Sequence, residues 1–107
     1  MERDFPESDW EKLRAWQGDL LEISCGRILE KITVLIAERK GGNHDCYLKL
    51  WDLMRHEDKE LSDMFDDLKR SNAILKLALM RRNSVIPDER FEEFSDKIKF
   101  LVDAINE

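Results

Sequence analysis

Gly41-Gly42-Asn43 separates two long apolar periodicities, and the fold turns on how these three residues are read. Glycine suits the left-handed residue that closes one helix, and asparagine suits the cap that opens the next. The chain is therefore expected to reverse here. Upstream, Trp10, Leu13, Leu20, Leu21, Cys25, Ile28, Leu29, Ile32, Leu35 and Ile36 recur at three- and four-residue steps, the period of one helical face. Ser8-Asp9-Trp10-Glu11 has capping-box spacing, which predicts a helix from about Asp9 to about Lys40. Gly18 and Gly26 lie inside that span, where a kink or a close helix contact would account for them.

Downstream, Tyr47, Leu50, Trp51, Met54, Leu61, Met64, Phe65, Leu68, Leu75, Ala78 and Leu79 form a second periodic set, with neither Gly nor Pro between residues 43 and 86. That pattern predicts one helix running to about Arg82. At 1.5 Å per residue, each of the two helices would span roughly 45–60 Å, too long for a compact globule of this size. Asn83-Ser84-Val85-Ile86-Pro87 closes the second helix, Pro87-Asp88-Glu89 opens a short one carrying Phe91 and Phe94, and Ser95-Asp96 caps a last helix with Ile98, Leu101, Val102 and Ile105. The expectation is a single all-α domain over residues 1–107: a long antiparallel hairpin, a short helix and a C-terminal helix. A hairpin covers only part of its apolar stripes, so homodimerisation is expected to complete the bundle.

Composition narrows the classes. Charged residues make up 39% of the chain, against roughly 25% in an average domain, so solvated helical faces are required. A net charge of −6 opposes non-specific attraction to nucleic acid or anionic lipid. No run approaches the roughly 20 apolar residues of a membrane span, and the N-terminus lacks a basic region followed by an apolar one, which together suggest a cytoplasmic protein. Cys25 and Cys46 are too few for a disulfide framework and are expected to be reduced.

Charge is segregated on the second helix. Glu57, Asp58, Glu60, Asp63, Asp66 and Asp67 face only Lys59, whereas Lys69, Arg70, Lys76, Arg81 and Arg82 follow with no acid. Two such helices laid antiparallel would match acid to base, which suggests a homodimer centred near Leu68. The helix dipole also favours early acids and late bases, so the pattern has a purely local explanation too. Candidate interface residues on this basis are Trp51, Asp58, Leu61, Phe65, Leu68, Arg70 and Leu75. Asp58 falls on the apolar face between Met54, Leu61 and Phe65, so it needs either a partner, such as Arg27 or Arg70 of another copy, or an edge position that reaches water. Ser71 and Asn72 interrupt the apolar series between Leu68 and Leu75, as at a helix crossing, a binding surface or a solvated face.

Chemistry-bearing constellations are sparse. His44, Cys46, His56 and Cys25 include ligand types suited to zinc, but no paired C-x-x-C occurs and neither histidine follows a Glu by three residues as a di-iron bundle requires. No phosphate loop, nucleophile elbow or zinc-protease motif is present. No catalytic residue, metal or cofactor is therefore assigned. Lys69, Arg70, Arg81 and Arg82 are candidates for phosphate contact, but they lie among few aromatics and inside an acidic protein.

The runs His44-Asp45-Cys46-Tyr47-Leu48, Asp58-Lys59-Glu60-Leu61 and Phe65-Asp66-Asp67-Leu68-Lys69-Arg70-Ser71 resemble a pattern found in small bacterial all-helical proteins with no assigned activity. That resemblance extends from Trp10 to Phe94 and implies only a helical fold and a bacterial origin. The leading expectation is a non-catalytic interaction or self-assembly module. The competing ones are a small metal- or ligand-binding bundle and a nucleic-acid-associated regulator.

Overall fold

Pro6 has φ −57°, the value a helical first turn needs, and α1 follows it over Glu7–Ala37. The computed structural model describes residues 5–107. The capping box expected at Ser8 is not formed, because no side chain caps α1 and Ser8 is exposed. Asp9 is instead 1% exposed, and its carboxylate accepts from the backbone N–H (2.9 Å) and the hydroxyl (2.7 Å) of Ser95. The acid beside the predicted cap thus holds an element 86 residues away.

Helix α1 runs 31 residues without interruption through Gly18 and Gly26, and its length is about 46 Å. A Cβ placed on either glycine would meet no heavy atom within 4 Å, so close helix contact explains neither. Gly26→Ala is accordingly expected to stabilise the protein by about 0.5–1 kcal/mol, read as a higher urea midpoint with unchanged slope. A lower midpoint would show that position 26 needs glycine for another reason.

The chain turns at Gly41, which takes a left-handed φ of +85°, but α1 has already ended at Ala37 with Glu38 still right-handed, and α2, Asn43–Phe65, opens after Gly42 without a side-chain cap from Asn43. Helix α2 returns along α1, as shown by the Lys31–Glu57 ion pair (2.6 Å) and the approach of the Cys46 thiol to the Leu35 carbonyl (3.9 Å).

The second helix does not continue to Arg82. It stops at Phe65, Asp66 adopts an extended backbone, and Asp67 takes φ +55°. Aspartate tolerates that conformation better than most residues, which is why no glycine marks the break. Asn72 then builds the restart: its side chain accepts from Lys69 N–H (2.9 Å) and donates to the Asp67 carbonyl (2.9 Å). A 3₁₀ turn over Arg70–Asn72 leads into α3, Ala73–Arg82. The polar run at Ser71-Asn72 is therefore a turn. With Leu68 in the connection between α2 and that turn, no continuous helix carries both the acidic and the basic block, and the antiparallel pairing centred on Leu68 loses its structural basis.

Beyond α3, Ser84 at φ +59° and Pro87 set up α4, Asp88–Phe91, and Ser95 precedes α5, Asp96–Ile105, in the order the sequence predicts. These elements pack around one end of the α1–α2 pair. Leu13 and Leu20 of α1, Phe65 of α2, Leu77 and Met80 of α3, and Ile98 and Val102 of α5 are buried together there. Phe94 sits at the centre of an aromatic cluster, with ring centroids 6.4 Å from Phe5, 5.5 Å from Trp16 and 6.3 Å from Phe91.

The result is elongated, 56 × 26 × 26 Å with a radius of gyration of 16.6 Å, against about 13 Å for a compact chain of this length. All-helical architecture is clear, and the described residues contain no strand. No described helix is long and apolar enough to cross a membrane. The packed end forms a head, and the rest of α1 and α2 projects from it as a two-helix arm.

Candidate functional site

The arm is where the core runs out. Between Leu21 and Ser62 only Ser24 and Cys46 are buried, although this stretch is rich in large apolar side chains. The reason lies in the helical period. On α1 an inner stripe, Ser24, Ile28 and Leu35, meets α2, and a second stripe one residue further round holds Cys25, Leu29, Ile32 and Ile36. On α2 the inner stripe is Cys46, Leu50, Leu53 and Glu57, and the second is Tyr47, Trp51, Met54, Asp58 and Leu61. Because the helices run oppositely, both second stripes open on the same side.

That side is an apolar face. A groove of about 210 Å3 runs along it between Cys25, Leu29 and Ile32 on one wall and Met54, Asp58 and Leu61 on the other. Leu29 is 62% exposed, Trp51 51% and Met54 39%, and Tyr47 packs edge-on to Trp51 at 6.5 Å between centroids. Contiguous exposure of this kind marks an interaction surface more often than scattered single residues do.

The opposite side of the arm carries more charge, although Ile23 and Val34 are exposed there singly. A cleft of about 160 Å3 where the arm meets the head is lined by Arg27, Lys31, His56, Glu57 and Glu60. Its charges are partly neutralised by the Lys31–Glu57 pair, and Arg27 donates to the Asn83 carbonyl (3.4 Å). Nearer the tip, Asp45 holds the Lys49 ammonium above the usual lysine range, first through a direct hydrogen bond.

Of the seven residues that sequence singled out, the structure brings Trp51, Asp58 and Leu61 together on the apolar face. Asp58 is exposed and reaches water, the edge position considered for it, while its neighbour Glu57 takes the partner on α1. Phe65 is buried in the head, and Leu68 packs partly buried against it. Arg70 serves the turn, donating to the Phe5 carbonyl (2.7 Å) and to Glu7 (2.6 Å). Leu75 is exposed on α3, away from the arm. Leu29, Ile32, Ile36, Tyr47 and Met54 belong to the face without having been singled out. Their signal was present: each arm helix carries two adjacent apolar stripes, a wider arc than one helix-to-helix contact can cover.

The ligand-type residues are dispersed. Cys25 lies in the apolar groove, Cys46 sits against Leu35, and His56 opens into the charged cleft on the other side. Among the described residues no three His, Cys, Asp or Glu side chains are grouped to hold a metal ion. Three of the four basic candidates are paired with acids, Lys69 with Asp67, Arg70 with Glu7 and Arg81 with Asp88, and Arg82 donates to the Asn106 side chain (3.3 Å). Comparison with protein-family models, with curated proteins and with solved structures finds no match for the chain.

Proposed function

We propose that this protein is a non-catalytic helical interaction module whose working surface is the apolar face of the α1–α2 arm. The observation that carries this reading is the contiguity of that face: Leu29, Ile32, Trp51 and Met54 sit side by side on two helices, outside the core. Covering them would remove apolar area from water at about 25 cal/mol per Å2. The spacing 25-29-32-36 and 47-51-54-58-61 is that of heptad positions, so the matching occupant is helical, laid along the groove with its own apolar stripe.

A synthetic amphipathic peptide of leucine and lysine, fluorescently labelled, tests the reading by polarisation against dilute protein. Binding is expected to the native chain and to fall roughly tenfold or more in the Leu29→Glu, Met54→Glu double variant. Those substitutions add negative charge, which would strengthen any purely electrostatic attraction to lysine, so a loss isolates the apolar contact. Equal binding by both proteins would sink the proposal.

A further inference from the structure

We infer that the natural occupant of the arm's apolar face is a second copy of this chain, packed face to face with the two arms antiparallel. This deepens the interaction-module reading and rests on it. The inference comes from the symmetry of the stripes. Leu29 on α1 and Met54 on α2 both line the groove, on its two opposite walls. A two-fold axis lying in the face and passing through both would place each of them on its own counterpart. The same rotation carries Ile32 onto Cys25 and Ile36 onto Leu21 along α1, and Tyr47 onto Leu61 along α2. An isologous contact demands such self-matching, residue i on j and j on i.

Asp58, the one charge within the stripe, follows the same rule. The rotation sets it opposite Trp51 of the second copy. Neither side chain forms a hydrogen bond among the described residues, and an indole N–H is a donor only while a carboxylate is an acceptor. The contact would give both a partner in a surface that otherwise excludes polar groups. Charge also agrees at the ends. Exposed Arg39 and Lys40 at the tip of the arm fall at the level where α2 of the second copy ends in exposed Asp66, Asp67 being held by Lys69.

Size sets the strength of the pairing. From Leu21 to Ile36 the face is about 22 Å long, and two helices side by side are about 20 Å wide. Two copies would then cover roughly 900 Å2 before side-chain relief is counted, just under the roughly 1,000 Å2 that a stable interface clears, which fits a concentration-dependent pair. The product is an antiparallel four-helix bundle with a head at each end.

The test is light scattering of the full chain over a dilution series, with Leu29→Glu, Met54→Glu and, off the face on the charged side, Val34→Glu. The expected result is twice the chain mass for the native protein and for Val34→Glu, and the single chain mass for the two face variants, all with the same helical signal. Met54→Cys is then expected to form a covalent dimer under mild oxidation, since a residue on the axis meets itself, while Val34→Cys is not. A native protein that stays monomeric overturns the second copy. If that monomer still binds the leucine–lysine peptide, the interaction reading survives without it; if it does not, both fall. A dimer that tolerates Leu29→Glu and Met54→Glu, or that fails to cross-link at position 54, overturns this placement.

Discussion

Phe94→Ala is expected to remove about 3–5 kcal/mol of stability, the usual cost of emptying an aromatic site in a packed core. Phe94 is 3% exposed, and its ring meets those of Phe5, Trp16 and Phe91. It joins the segment before α1, α1 itself and the α4–α5 connection, so little around it is free to collapse into the space. Domains of this size hold only about 5–15 kcal/mol in total, so the variant should melt some tens of degrees lower or fail to fold at room temperature. The head and the arm should respond differently. Leu29→Ala removes a side chain that is already 62% exposed, and its cost should stay within about 0.5 kcal/mol under monomeric conditions. Thermal melts of the two variants decide this, and similar losses would mean that the arm helps to hold the core.

Asp9→Ala is the second large effect, expected at about 2–3 kcal/mol. The buried carboxylate accepts two hydrogen bonds from Ser95, one from the backbone and one from the hydroxyl. Hydrogen bonds to a charged group contribute about 1.5–3 kcal/mol each, and the orphaned donor costs further free energy. Ser95→Ala should cost less, because it removes only the hydroxyl donor and leaves the backbone N–H paired with Asp9. The double variant should be less destabilised than the two single variants added together, since both act on one contact. Urea denaturation of the three proteins supplies the cycle. Strict additivity, or a larger loss from Ser95→Ala, would show that Asp9 acts through something other than Ser95.

Much of the secondary structure was legible because its signals are local. Gly41 takes a left-handed φ in the turn between α1 and α2, Pro87 and Ser95 stand immediately before α4 and α5, and the 3.6-residue period runs through α1 and α2. The break after Phe65 was not legible, because it is made by Asp67 and Asn72 in place of Gly or Pro. Its polar residues looked like a solvated face until Asn72 was seen bonded across the turn. Likewise Asp9 resembled a cap for its own helix, and only the folded chain brings Ser95 to it.

The candidate site divides the same way. Each second stripe could be read from residue spacing, yet Phe65 continues the register of Trp51 and Leu61 and is buried, while Trp51 is exposed. By itself the sequence determined an all-helical chain, its reversal at Gly41-Gly42 and the width of its apolar arcs, since each depends on neighbours within a few turns. Which arcs are covered was decided only by the tertiary structure. The turn at residues 66–72 folds α3 and the elements after it onto one end of the hairpin, burying that end's apolar side chains and leaving those of the arm in water.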